Sequence, residues 1–204
     1  MGKLFTIGHS THSFDYFVNL LISRDINYLI DVRSTPYSRY VTAFNREVLK
    51  ESLLHKNITY AYMGVSFGAR QTNDSFFTDG YVDFEKVILS TGFVKSMDNV
   101  LDGLEQGNNI VFMCTEKDPI DCHRAIMVAR GFSLQGVDVF HILANGELQT
   151  QKDLDRRLLD RFFPEKNQMS IFDLIEPQEE RSYLDQAYKL RNKEIGYRIK
   201  NNEE

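Results

Sequence analysis

Ile110-Val-Phe-Met-Cys-Thr-Glu-Lys-Asp-Pro-Ile-Asp-Cys-His-Arg124 is the stretch that decides how this chain folds. Ile110 to Met113 is apolar without alternation, as expected of a strand covered on both faces. Acids and Pro119 then interrupt it. From about Asp121 the spacing of Ile126, Val128, Ala129, Phe132 and Leu134 predicts an amphipathic helix. A buried strand passing through a polar loop into a helix is the repeating unit of a parallel sheet. The crossing gathers both cysteines of the protein, a histidine, an arginine and three acids. In open α/β sheets ligands bind at such crossings.

The same alternation runs outward on both sides. Leu4 to Ile7 reads as a strand ending in Gly8-His9-Ser10. Ser13 is placed to cap a helix with Phe14, Phe17, Val18, Leu21 and Ile22 on one face. Tyr28 to Val32 is a second strand. Asn45 is placed to cap a helix with Val48, Leu49, Leu53 and Leu54 inward. Ile58 to Met63 is a third strand, and residues 64–82 form a long loop. Asp83 to Gln106 reads as helix with a break near Thr91-Gly92. Asn109 to Met113 and Val137 to Leu143 complete five strands. The expected fold is a Rossmann-like, three-layer α/β domain over residues 1–150 with a mainly parallel five-stranded sheet. Residues 151–204 form a helical C-terminal extension packed on it. One helix carries Leu154, Leu158 and Leu159. A last helix from near Pro177 carries Tyr183, Leu184, Ala187, Tyr188, Ile195 and Ile199, and Asn201 to Glu204 is expected to fray.

Composition bounds the function. The chain has 204 residues, 42% hydrophobic and 26% charged, with net charge −5. That balance argues against coating nucleic acid through bulk electrostatics. No apolar run reaches the length of a membrane span, and no secretory signal pattern is present. Two cysteines eight positions apart are expected to be reduced thiols or part of a site, not a disulfide scaffold. A cytoplasmic location is expected. Met1-Gly-Lys-Leu-Phe-Thr6 fits the myristoylation pattern, but Leu4 to Ile7 is read as buried strand.

Three motifs follow predicted strand ends and should converge on one edge: Gly8-His9-Ser10, Asp31-Val-Arg33-Ser34 through Ser38-Arg39, and Cys114 to Arg124. The long loop adds Gly64, Gly68 and Arg70. Arg33, Arg39, Arg70 and Arg124 offer forked donors suited to carboxylate or phosphate, with Ser10, Ser34 and Ser38 as short hydroxyl partners. The helix start at Cys122-His123-Arg124 adds backbone N–H groups. His9 and His123 are the candidates for proton transfer. Asp31 is expected to pair with Arg33 or Arg124. Cys114 and Cys122 admit three readings: nucleophile, zinc ligand with His123 and His9, or inert buried thiol. Glu116, Asp118 and Asp121 are read by default as a solvated loop. Tyr62, Tyr37 and Phe67 are either a stacking surface or core.

As a set these motifs resemble the uncharacterised bacterial and archaeal family known as domain of unknown function 488. The matching pieces are Thr6-Ile-Gly-His-Ser10, Asp31-Val-Arg-Ser34 with Pro36 and Ser38-Arg39, Gly64, Gly68 and Arg70, and Val82-Asp-Phe84. Cys114-Thr-Glu116-Lys-Asp-Pro119, Cys122-His-Arg124, Ala187-Tyr188 and Ile195-Gly-Tyr197 complete the set. The resemblance implies a Rossmann-like domain and the site positions above, Glu116 and Cys122 among them, and supplies no reaction. A looser similarity links Asp31-Val-Arg33 and Cys114 to rhodanese-like domains. Here ten positions separate Cys114 from Arg124, and acids and a proline fill the loop where they would repel an anion near sulfur. Sulfur-transfer and phosphatase chemistry therefore do not carry over.

The expectation is an intracellular enzyme, a hydrolase or transferase, acting on an anionic, phosphate-bearing ligand such as a nucleotide or nucleic-acid end. Cys114, His123 and His9 are its catalytic candidates. Ser10, Asp31, Arg33, Ser34, Arg39, Arg70, Glu116, Cys122 and Arg124 line its ligand. A non-enzymatic sensing or nucleic-acid-associated module and a Cys/His metal protein are the alternatives. No cofactor and no metal ligand are assigned.

Overall fold

A computed structural model describes residues 1–166 and 177–199 of the chain; the expected fraying of Asn201 to Glu204 lies outside the described residues. The elements run β1 (Leu4–Gly8), α1 (Phe14–Ile22), β2 (Tyr28–Asp31), α2 (Arg46–Leu54), β3 (Thr59–Tyr62), α3 (Gly64–Phe67), β4 (Phe77–Thr78) and β5 (Tyr81–Val82). They continue with α4 (Phe84–Ile88), α5 (Thr91–Glu105), β6 (Ile110–Cys114), α6 (Arg130–Leu134), β7 (Val139–Ile142), β8 (Leu148–Thr150), α7 (Gln151–Phe162) and α8 (Pro177–Ile195). The main sheet has order β3-β2-β6-β1-β7-β8. The first five of these strands are parallel, and β8 pairs antiparallel with β7. The fold is thus the expected α/β, three-layer type, with a sixth strand where five were predicted. Leu148-Gln-Thr150 is too short and too polar to announce itself as a strand.

Helices cover both faces. Phe5, Ile7, Leu29, Val111 and Met113 meet Phe17 and Leu21 of α1 and Leu49 and Leu53 of α2. On the other face Leu4, Ile30, Ile110 and Phe112 meet Phe93, Phe132, Leu154, Leu158, Ala187 and Tyr188. The C-terminal helices α7 and α8 therefore share the core of the sheet. Alternate residues of β1 and β6 point to opposite layers, which is why neither strand alternates in polarity. Outside these stripes, Ile22, Val48, Leu54 and Ile199, expected inward, are 49%, 47%, 70% and 51% exposed. Leu20 is buried in place of Ile22.

Local chemistry fixes the ends. Ser13 Oγ accepts from Tyr16 N–H and starts α1 as expected. Asn45 precedes α2 but caps nothing there: its Oδ1 accepts from Ser38 N–H at 2.7 Å and ties down the preceding loop. The break in the 83–106 helix falls at Leu89-Ser90 and not at Gly92, because Ser90 Oγ caps Phe93 N–H. Residues 64–82 are more ordered than a plain loop. Asp79 and Gly80 have φ of 49° and 76°, the geometry of a tight hairpin turn, and they join β4 to β5. Asn192 on α8 donates to Val82 O and accepts from Phe84 N–H, while Val82 N–H donates to Tyr197 O. Val82-Asp-Phe84 and Ile195-Gly-Tyr197, distant in sequence, thus meet as one structural joint.

Topology makes a crevice. The chain leaves β1 and β2 toward α1 and α2 on one face and leaves β6 toward α6 on the other, while β6 lies between β1 and β2. Adjacent parallel strands whose connections diverge leave a cleft beyond their carboxyl ends. Here the connections diverge on each side of β6.

Candidate functional site

The backbone around β6 is closely knit. His9 and Ser10 N–H donate to Cys114 O and Thr115 O, and Val32 N–H donates to Met113 O. Gly8 is required here, since a Cβ would lie 1.8 Å from Glu116 O. Ser10 adopts φ 44°, a left-handed conformation that costs about 1 kcal/mol or more outside glycine and is held by its N–H bond to Thr115. Residues 9, 33 and 114 therefore stand together on one rim, as the sequence reading required.

Two side-chain groups occupy the rim. In the first, Arg33 makes a forked pair with Asp31, Nε to Oδ1 at 2.9 Å and Nη2 to Oδ2 at 2.6 Å. Its Nη2 also donates to Phe44 O at 2.7 Å. Its remaining nitrogen, Nη1, faces His9 Nε2 at 3.4 Å. The His9 ring stacks on Phe44 with centroids 4.4 Å apart, and His9 Nδ1 donates to Ser10 O. This network assigns the tautomer. Burial, with the Arg33 charge beside it, lowers the His9 pKa to about 4. His9 is thus a neutral, doubly engaged ring near pH 7. Tyr60 was not foreseen: its hydroxyl donates to Asp31 Oδ2 at 2.8 Å, and only its place on the strand beside Asp31 could have signalled it.

In the second group the sulfurs of Cys114 and Cys122 lie within hydrogen-bond distance of Glu116 Oε2, at 3.0 and 2.9 Å. His123 Nδ1 lies 3.8 Å from Cys114 Sγ and 3.9 Å from Cys122 Sγ. His123 Nε2 donates to Val32 O at 3.0 Å. The helix expected from Asp121 starts later. Pro119–Asp121 form a single 3-10 turn, Cys122 is extended (φ −133°, ψ 138°), and Arg124–Ala129 form a π-helical turn before α6. The extended Cys122 brings its sulfur back toward Cys114. Departures of this kind from α geometry are frequent at functional sites. At the helix start Cys122 N–H bonds Pro119 O, Arg124 N–H faces Cys122 Sγ at 3.5 Å, and Ala125 and Ile126 N–H bond Cys122 O, so these backbone donors are already engaged.

The ionisable groups shift apart. Burial opposes ionisation of Cys122, but the hydrogen bond from Cys114 and the charge of Arg124 take its pKa well below normal. Cys114 moves well above, through its bond to Cys122 and its burial. Burial disfavours protonated His123, yet the bond to Cys122 and the Cys122 charge raise it overall. Burial of the carboxylate tip and the Cys122 charge raise Glu116. Glu116 as a residue is exposed while its Oε2 touches both sulfurs, so the side chain lies over the thiols with one side wet. Clusters with opposed shifts are characteristic of functional centres.

The other candidates divide. Arg124 is fully buried; Nη1 and Nη2 donate to the carbonyls of Glu116 and Lys117 at 2.7 and 3.3 Å. It holds the loop from within and presents no face to a ligand. Arg33, tied to Asp31, is likewise part of the frame, so neither guanidinium is the free anion fork that the sequence suggested. Ser34 Oγ accepts from Arg70 N–H, and Ser38 Oγ accepts from Tyr40 and Val41 N–H. Arg39 and Arg70 are exposed, the Arg70 guanidinium lying 5.4 Å from the Tyr197 ring centroid. Asp118 pairs with Arg157 at 2.6 Å, and Asp121 with Arg191, which brace the loop where a solvated one was expected. Phe67 is core, against Phe93 and Phe112. Tyr62 lies under Arg46, and Tyr37 is exposed.

A family profile described as domain of unknown function DUF488 matches residues 13–130, more than half of the chain. The chain belongs to this family. The matched DUF488 region contains α1 to the π turn, hence Asp31, Arg33 and the whole thiol group. Searches of curated proteins and of solved structures returned no significant match. No helix among the described residues is long and apolar enough to cross a membrane.

Proposed function

We propose that the chain is an enzyme whose reaction centre is the Cys114–Glu116–Cys122–His123 group and whose anionic ligand docks on the exposed cations around it. The observation that carries this reading is position: four reactive side chains meet at the carboxyl end of β6, where the chain connections diverge. A core alone has no use for two thiols, a carboxylate and an imidazole in contact. The anion preference has separate support. Arg39, Arg70 and Lys117 follow β2, β3 and β6, are exposed, and have no carboxylate partner among the described residues. In a chain of net charge −5 these unpaired cations give the rim a local positive field. Arg33 and Arg124 act as positioning residues that hold the loops.

The test is thermal shift against inorganic phosphate, nucleoside phosphates and 5′-phosphorylated oligonucleotides. At least one should raise Tm, and the effect should vanish in an R39A/R70A variant whose fold is intact. Product formation from that ligand, lost in E116A while binding persists, identifies an enzyme. Binding without turnover by the wild type identifies a sensing module. No stabilisation by any phosphorylated compound overturns the anion assignment.

A further inference from the structure

We infer that Cys114, Cys122 and His123 form a zinc site with three protein ligands, and that Glu116 lies across a fourth, solvent-facing position. The inference deepens the reaction-centre reading above and rests on it only for the location of substrate.

The donor geometry comes first. Sγ of Cys114, Sγ of Cys122 and a ring nitrogen of His123 all lie within 4.8 Å of one another. The two S···Nδ1 separations are 3.8 and 3.9 Å. A tetrahedral ion with zinc–sulfur and zinc–nitrogen bonds of roughly 2.3 and 2.0 Å spans an S···N edge of about 3.5 Å. Inward movements of a few tenths of an ångström would bring these two edges to that length.

The orientation of His123 is the second observation. A metal-bound imidazole needs a lone pair on one nitrogen and a hydrogen-bond acceptor for the other. Here Nε2 donates to the Val32 carbonyl at 3.0 Å and Nδ1 faces the sulfurs. The outer-shell partner is thus built into the end of β2.

Third is a charge that needs a counter-ion. Arg124 is 0% exposed, its terminal nitrogens meet only the two loop carbonyls, and its Nε has no partner. Among the described residues no carboxylate pairs with it. A buried cation without an anion is strongly disfavoured. Two thiolates and the Glu116 carboxylate around one divalent ion carry a net charge of −1 by formal count, which offsets the guanidinium. The Arg124 N–H pointing at Cys122 Sγ fits the same thiolate.

Ligand chemistry and exposure set the type of site. Two thiolates and an imidazole select zinc over magnesium or calcium. Zinc held by three protein ligands keeps its last position for water or substrate. Cys114 and Cys122 are 3% and 1% exposed, whereas Glu116 is the exposed member of the group. Displacement of Glu116 would open that last position toward solvent.

The full chain, expressed without a histidine tag and purified reduced without chelator, should contain about one zinc per chain. C114S, C122S and H123A should each lose it. Should those variants fail to fold, cobalt(II) exchanged into the wild type should give a sulfur-to-cobalt charge-transfer band. E116A should keep the metal, and its cobalt spectrum should respond to thiocyanate more strongly than that of the wild type. R39A/R70A should keep the metal whatever happens to phosphate binding, so failure of the anion reading is distinguishable. Folded wild-type protein with far less than one metal per chain and no charge-transfer band would overturn the site. Metal loss in E116A equal to that in C122S would overturn the open fourth position.

Discussion

The bond from His123 Nε2 to the Val32 carbonyl, 3.0 Å long, joins the end of β2 to the loop after β6 and turns His123 Nδ1 toward both thiols. Val32 N–H is itself held by Met113 O. The imidazole is therefore fixed by backbone, and its aim does not depend on any surface side chain. The geometry of the centre is inherited from the sheet.

The Asp31–Arg33 pair should behave as a buried ion pair. Asp31 is 0% and Arg33 6% exposed. Asp31→Asn leaves a guanidinium without its counter-ion and should destabilise by about 3–5 kcal/mol. Asp31→Leu with Arg33→Met should cost far less than either single change. Urea unfolding of the three variants measures this. A double-variant loss equal to the sum of the two single losses would show that the pair is not coupled.

Stability should fall in acid through buried neutral histidines. His141 accepts from Thr6 Oγ1 at Nδ1 and donates from Nε2 to Gln151 Oε1. Burial, with the Arg124 charge, lowers its pKa from 6.5 to about 3; His9 lies at about 4. The folded values are below the unfolded one, so the unfolded chain binds more protons in between. The contribution is complete above pH 6.5 and drains away as pH falls toward 4 and then 3, with a slope of up to about 1.4 kcal/mol per pH unit for each ring. Chemical denaturation between pH 3 and 8 should show this slope, and His141→Gln should flatten it at the cost of lower stability at neutral pH.

Gly8→Ala places a methyl 1.8 Å from Glu116 O and 3.2 Å from Arg124 Nη1. Backbone on one side and a buried guanidinium on the other leave nowhere to move. Overpacking of this kind costs about 1–3 kcal/mol, and the thiol loop should shift with it. A lowered Tm together with weaker metal retention is the expected result; unchanged values for both would show that the loop is free to adjust.

Much of this arrangement was legible in the sequence, because strand ends carry their chemistry into loops and parallel strands present those loops on one edge. Cys114, His9 and Arg33 were placed together on that ground alone. What the residues do once together was less visible. An arginine that binds substrate and one that anchors a loop are the same letter, and only Asp31 beside Arg33, and the carbonyls beside Arg124, tell them apart. Cys122 looked like the first turn of a helix. Its extended backbone follows from the 3-10 turn at Pro119, a local detail that periodicity does not register. Asp79-Gly80 was a readable hairpin signal, hidden by strands only two residues long.

Thiol accessibility should report the state of the centre. Both sulfurs are buried, so a bulky maleimide should react slowly with the native chain. Chelator should raise the rate by loosening the loop, and zinc should restore protection. Fast labelling of Cys114 before any chelator would favour a free nucleophile.

The most direct measurement is anomalous scattering at the zinc edge from crystals grown without added metal. A single peak within bonding distance of Cys114 Sγ, Cys122 Sγ and His123 Nδ1, with Glu116 or a water beside it, is the predicted result. Clear density for all four side chains with no peak among them would contradict it.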